Sequence, residues 1–250
     1  MRGVLRQALP PVVLLALLIG LWQAAVTLAE IPPFVLPGPS AIAAEAGEFA
    51  DPILTASLVT AGNALAGLVI GSLLAVLLAL LASQLWALDA LADPVVSALA
   101  VVPIVALAPV LYSMYGASSE QARVIVAGLA AFVPVYVNAL RGLHQVRAVH
   151  RDLMRALAAP AATVIRAVTI PTALPFVFTG LRLASAQAVI AAIVAEYFGG
   201  PRSGIGSFIT TAAAGSNYAL AWAYVLGGIV VGLLFYTATY ALEAAVTRRR

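Results

Sequence analysis

The chain has 250 residues, of which 63% are hydrophobic and only 9% charged, with a mean hydropathy of +1.06. A soluble domain is about half apolar and roughly one quarter charged, so this is an integral membrane protein. It has no cysteine, which excludes disulfides, thiolate metal sites and a cysteine nucleophile, and all 13 basic residues are arginine, which excludes a phosphate-binding loop with its lysine. Any ATP that energises this protein must therefore be bound by another chain.

The N-terminal segment has a basic start, Arg2 and Arg6, and an apolar run from Pro11 to Ala29. That run is longer than the roughly 7–15-residue core of a signal peptide and near the ~20 residues that cross a bilayer. It reads as a retained first span, with cleavage after Ala24-Ala25 as the alternative. Prolines at 32, 33, 37 and 39 then forbid a continuous helix, and Ser40 is expected to cap a short helix through Glu48. Further spans follow at 58–83, 94–113, 122–140, 174–197 and 219–245. This predicts an all-α, polytopic membrane protein of about six transmembrane helices, forming one domain over 1–250. Pro103 and Pro109 in the third span and Pro134 in the fourth predict kinks, serving either a cavity or gate, or packing alone. Gly67 with Gly71, and Gly228 with Gly232, form GxxxG pairs that fit either a dimer contact or a chance pattern in an Ala/Gly-rich chain.

The longest charge-bearing interval is 141–182, which holds Arg141, Arg147, Arg151, Arg155, Arg166, Arg182 and both histidines, His144 and His150. Counting arginines on the two sides of the spans places this interval, both termini and the Arg248-Arg249-Arg250 end in the cytoplasm. Arg123 and Arg202 fall outside. Within the interval, Arg147, Arg151 and Arg155 share one helical face, and Val149, Leu153 and Leu157 lie roughly opposite. Ala158-Ala159-Pro160 ends that helix, and Pro160 starts a second one carrying Val164, Ile165 and Val168 and stopping near Pro171. The outcome is a bent helix pair showing a small apolar patch. It fits either a docking surface for a partner or an amphipathic helix lying on anionic lipid.

The stretch DLMRALAAPAATVIRAVTIP resembles the cytoplasmic coupling loop of binding-protein-dependent ABC importer permeases. Their signature is Glu-Ala-Ala, three residues, Gly, nine residues, Ile-x-Leu-Pro. With Pro171 on the final proline, Asp152 stands on the Glu, Leu153 and Met154 on the two Ala, Ala158 on the Gly, Val168 on the Ile and Ile170 on the Leu. The flanks extend the likeness to the nitrate/sulfonate/taurine permease subfamily, through Asp93-Pro94, Pro103, Pro109, Pro134, Asn138, Gly142, Pro175, Gly180, Arg182, Ala195-Glu196 and Gly204-Ile205-Gly206. The EYFGG wording points to its branch for thiamine-precursor pyrimidines or riboflavin.

The resemblance implies a type I ABC importer permease fold (MetI-like) in a bacterial cytoplasmic (inner) membrane. It implies a pathway formed with a second copy of the chain and coupling loops at 141–172 docked on a cytoplasmic ABC ATPase dimer that binds the ATP. An extracytoplasmic solute-binding protein would deliver a small organic or oxyanionic solute of the vitamin-precursor, sulfonate or nitrate class. The chain would hold no cofactor or metal, catalyse no reaction and have no nucleic-acid partner. The rival expectation is a polytopic membrane enzyme or lipid-interacting scaffold using the Arg-rich loop on head groups. In the coupling loop the family's Gly permits a tight turn. Ala158 does not enter φ > 0 cheaply, so Pro160 is expected to make the turn.

Other polar residues allow two roles each. Asn63, Asn138 and Gln187 either line the pathway or bond between helices. Glu196 either serves the pathway or pairs with Arg202 or water at the interface. Arg182 is expected to snorkel. Tyr218, Trp222 and Tyr224 are expected to form an aromatic belt.

Overall fold

Hydrocarbon gives packed helices no hydrophobic incentive to associate, so close backbone approach through small residues has to hold them together. The computed structural model describes residues 2–247, without the side chains of 2–8, Asp93, Ile104, Val105 and Thr247. Arg248, Arg249 and Arg250, and the side chains of Arg2, Arg6 and Asp93, therefore lie outside the described residues. All the elements described are helical: α1 (Arg2–Leu28), α2 (Pro39–Glu48), α3 (Ala50–Ala82), α4 (Trp86–Val101), α5 (Ile104–Tyr115), α6 (Gln121–His144), α7 (Ala148–Ala156), α8 (Ala161–Val164), α9 (Ile170–Phe198), α10 (Ile205–Ala214) and α11 (Tyr218–Thr247).

Helix α6 is the centre, packed between α3 and α9, with α11 and α10 laid against α9. The buried stripe of α3 is Ala56, Thr60, Ala64, Gly67, Gly71, Ala75, Ala79 and Ala82, with Leu68 its one large member, while Leu58, Leu65, Leu73 and Leu77 point outward. This pattern, small residues inward and large apolar ones outward, is what a lipid solvent requires. The Gly67/Gly71 pair is used inside the protomer. A Cβ at Gly67 would lie 2.6 Å from the Cβ of Ala127, and one at Gly71 would overlap the Gly128 carbonyl. The second GxxxG pair is looser, with open space beside Gly232.

Among the described residues, five helices are long and apolar enough to cross a membrane. The expected third span is instead a broken pair, α4 and α5, bent by 100°. The break falls at Val102–Pro103, where Val102 is extended as the residue before a proline should be. Pro109 and Pro134 stay inside continuous helices. Ser40 does not cap α2. Gly38 holds the cap position, Pro39 opens the helix, and the Ser40 N–H donates instead to Gln23 Oε1 at 3.0 Å.

Pro171 does not stop a helix either. The α8 and α9 segments form one helical run over Ala161–Phe198, joined by a π-helical turn at Ile165–Thr169. A proline ring clashes with the carbonyl four residues back, and the wider π-turn makes room for it. There the Ile170 N–H donates to the Ile165 carbonyl, and Thr172 Oγ1 donates to the Val168 carbonyl at 2.7 Å.

The aromatic belt is only partly realised. Trp222 meets Trp22 edge-on at 5.6 Å, tying α1 to α11, whereas Tyr224 is buried and stacks on Phe208 at 5.1 Å. Arg182 does not snorkel alone. It pairs with Glu243 at 3.2 Å and lies over the Tyr236 and Tyr240 rings.

Gly71→Ala is expected to cost about 1–3 kcal/mol of stability through overpacking, read as a lower thermal midpoint in detergent. Gly232→Ala, with nothing within 4 Å of the added Cβ, is expected to leave that midpoint unchanged.

Candidate functional site

Three places concentrate polar chemistry: a clamp at the end of the bundle that carries 199–204, a cleft between α4, α6 and α9, and the loop at the opposite end. The clamp is built on Glu196, which is 1% exposed. Its Oε2 accepts from Thr60 Oγ1 at 2.8 Å and from the Gly206 N–H at 3.0 Å, and Thr60 Oγ1 accepts from the Ile205 N–H at 2.9 Å. Side chains of α9 and α3 thus satisfy the first backbone donors of α10, which has no side-chain cap of its own. A negative carboxylate at a helix N-terminus is also favoured by the helix dipole. Gly204 and Gly206 allow this approach: a Cβ at 204 would overlap the Glu196 carboxylate, and one at 206 the Ile193 carbonyl.

Beside it lies Arg123, which is 0% exposed. Its Nη1 donates to Glu120 Oε2 and to Ser203 Oγ, each at 3.0 Å, its Nη2 to the Pro201 carbonyl, and its Nε to Tyr112 Oη at 3.3 Å. The Tyr112 hydroxyl donates to the Ala195 carbonyl at 3.2 Å, and Asn63 Nδ2 donates to Glu120 Oε2 at 2.7 Å. The network joins α3, α5, α6, α9 and the 199–204 turn, where Gly200 has φ +90° with its Cα side against the Tyr112 ring. Arg123, counted in the sequence only as a charge outside the membrane, is the hub of this end. The available signal was Glu120 three residues before Arg123, an i,i+3 pair heading an apolar span.

Of the alternatives open for Glu196, the pairing with Arg202 is not formed; its Oε2 takes the Thr60 and Gly206 contacts instead, and Asn63 belongs to the same clamp. Asn138 and Gln187 both line a separate cleft of about 530 Å³ whose other walls include Leu99, Val133, Ile190 and Val194. Asn138 Nδ2 also donates to the Pro134 carbonyl at 2.8 Å, an added bond within the proline turn.

At the opposite end α7 projects with Val149, Leu153 and Leu157 exposed by 66%, 53% and 65%. Asp152 and Arg155 pair on the surface at 3.5 Å. Ala158 adopts φ +44°, against expectation, and Pro160 is extended at φ −63°, ψ 151° as the cap of α8. The Ala159 N–H donates to Met154 O at 3.0 Å and the Ala158 N–H to Arg155 O at 2.9 Å. These are the two bonds of a Schellman motif, whose satisfied carbonyls offset the roughly 1 kcal/mol that a Cβ costs in the left-handed region. Val164 is half-buried, Ile165 is exposed, and Pro171 lies inside the continuous α8–α9 run. Under the loop is a hollow of about 580 Å³ bordered by Gln84, His144, Arg151, Val164 and Ile165.

Removing one donor from the buried carboxylate by Thr60→Val is expected to cost about 1–3 kcal/mol, read as a lower thermal midpoint. Thr60→Ser, which keeps the hydroxyl, is expected to retain most of that stability.

The comparisons with known proteins agree with this architecture. The family model described as "Binding-protein-dependent transport system inner membrane component" matches residues 67–250. The riboflavin transport system permease protein RibX of Chloroflexus aurantiacus is 32% identical over 210 residues, covering 81% of this chain and 75% of that protein. The formylaminopyrimidine transport permease protein ThiX of Halalkalibacterium halodurans is 29% identical over 203 residues, 81% of this chain and 80% of that protein. The taurine transport system permease protein TauC of Escherichia coli is 29% identical over 231 residues, 87% and 79% of the two chains. This multi-pass helical chain belongs to the family of inner membrane components of binding-protein-dependent transport systems, and is a permease subunit rather than an enzyme.

Proposed function

We infer that the chain forms, with a second copy of itself, the solute pathway of an ATP-driven importer. In this reading the loop over 141–172 docks on a cytoplasmic ATPase that binds the ATP, and a solute-binding protein meets the end carrying the Glu196–Arg123 clamp. The termini and α7 then lie in the cytoplasm, in line with the arginine distribution. The rival reading as a membrane enzyme or lipid-bound scaffold has no support from the family.

The observation that carries this reading is the bare α7 face. Val149, Leu153 and Leu157 recur every four residues and are each more than half exposed, beyond the bundle rather than against it. Apolar side chains in such a position are anchors for a partner surface.

The same geometry supplies a transmission path. The α8–α9 run over Ala161–Phe198 has 38 residues, which at 1.5 Å per residue is about 57 Å of rod. One end leaves the α7 elbow, the middle presents Gln187 and Ile190 to the cleft, and the far end holds Glu196 in the clamp. A displacement of the loop when the ATPase closes is thereby delivered to the cleft wall and to α10 through one continuous helix. The lateral faces of α6 and α9 that surround Asn138 and Gln187 are where the second copy would complete the pathway.

The relatives named above are transport permeases for riboflavin, formylaminopyrimidine and taurine, so a small solute is the fitting cargo. The test is co-purification with the ATPase encoded for the same system. Leu153→Asp and Leu157→Asp, both exposed, are expected to leave the thermal midpoint intact and to weaken retention of the ATPase by about tenfold or more, the loss of a modest apolar anchor. Asp152→Arg is expected to weaken it as well. Undiminished retention by all three variants would contradict docking through α7.

A further inference from the structure

Among the described residues, none that lines the cleft with Asn138 and Gln187 is charged. The sequence is free of charged residues over 52–88, 94–119, 124–140, 167–181, 183–195 and 203–242. Of the arginines bordering these stretches, Arg123 is enclosed by Glu120, Ser203, Pro201 and Tyr112, Arg182 is paired with Glu243 toward α11, and Arg141, Arg166 and Arg202 are not among the residues that line the cleft.

What the cleft does offer is two carboxamides among aliphatic walls. Asn138 has one N–H engaged by Pro134, leaving its oxygen and a second N–H, and the Gln187 side chain is exposed. Together they present three N–H donors and two acceptor oxygens, set between Leu99, Val133, Ile190 and Val194. Donors and acceptors in such proportion match an edge that alternates the same groups, an imide, lactam or carboxamide on an uncharged ring. A volume of about 530 Å³ falls within the range of small-molecule sites. An oxyanion would instead give up its hydration for three neutral donors and face two acceptor oxygens, which does not recover the desolvation cost of a charge.

Resting on the permease reading given above, we propose that the Asn138–Gln187 cleft passes an uncharged, imide- or amide-bearing heterocycle and disfavours oxyanions such as sulfonates and nitrate. Solute selection is then imposed a second time within the membrane, after the binding protein has made its own choice. The aliphatic walls hold the ring faces, and the two carboxamides read the ring edge.

The absence of cysteine gives a direct test on the full chain in lipid nanodiscs. Val133→Cys places a thiol on the cleft wall and keeps both amides; Ser118→Cys, in an exposed turn, serves as reference. Each is labelled with the neutral methyl methanethiosulfonate and with its anionic 2-sulfonatoethyl analogue. The ratio of anionic to neutral rate at Val133→Cys is expected to be lower than at Ser118→Cys by about tenfold or more, equivalent to ~1.4 kcal/mol of exclusion. Millimolar uracil, an uncharged imide, is expected to slow the neutral reagent at Val133→Cys, and sodium methanesulfonate is not. Adding Asn138→Leu and Gln187→Leu is expected to abolish the protection by uracil. Equal rate ratios at the two sites, protection by methanesulfonate, or no protection by uracil would each overturn the proposed solute class. Failure of the ATPase to co-purify with the unsubstituted chain would instead overturn the permease reading, independently of this labelling.

Discussion

Because hydrocarbon offers no hydrogen bonds, the charged groups that α6 and α9 bury at the clamp end are hydrogen-bonded to other parts of the chain. Most of the architecture follows from that constraint. The Glu196 carboxylate takes the free N–H of Gly206 and the hydroxyl of Thr60, and so fixes α10 against α9 and α3. The Arg123 guanidinium takes Glu120, Ser203, Pro201 and Tyr112, and so fixes the turn between α9 and α10 against α5 and α6. Each buried charge thus serves as a multi-helix fastener. The glycines at 204 and 206 are required by the same arrangement, since side chains there would occupy the space of the carboxylate and of the α9 backbone.

The prolines obey the same rule with less material. Thr172 and Thr179 donate to carbonyls in the turns at Pro171 and Pro175, and Asn138 donates to the carbonyl of Pro134 itself. These bonds let α6 and α9 run through prolines that would break a helix in water. At Pro103, by contrast, the span is broken, leaving α4 and α5 as a bent pair. The unbroken α8–α9 rod links the exposed loop, the uncharged cleft and the polar clamp in one element. In the proposed reading, the element that receives the push from the loop is also the one that borders the solute cleft.

Much of this was legible in the residues. Composition alone required a membrane protein, and hydropathy located the long apolar helices, although the expected 94–113 span is a broken pair and the helices at 50 and 161 begin well before the expected 58 and 174. The resemblance around Asp152–Pro171 named the family that the comparison then supported. What stayed hidden depended on three-dimensional proximity. Thr60 and Glu196 are 136 residues apart, so nothing local signals that one caps a helix with the other. Arg123 read as a charge outside the membrane because sequence counting assigns sides, not burial. The Ala158 turn was misjudged because the intrinsic preference of alanine was weighed without the two Schellman bonds that oppose it. Pro171 read as a stop because a π-helical turn has no sequence signature of its own. Asn138 and Gln187 were chosen as polar residues in spans, and their sharing of one cleft came only with the packing of α6 on α9.

The central claim is that this chain couples ATP use by a partner to movement of a solute through its own helices. The most direct measurement is solute uptake into proteoliposomes holding the chain, its ATPase and its binding protein, with ATP supplied on the loop side. The account predicts accumulation above the outside concentration that requires all three proteins and stops when ATP is replaced by ADP. Equilibration of solute by the chain alone, or accumulation indifferent to ATP, would contradict it.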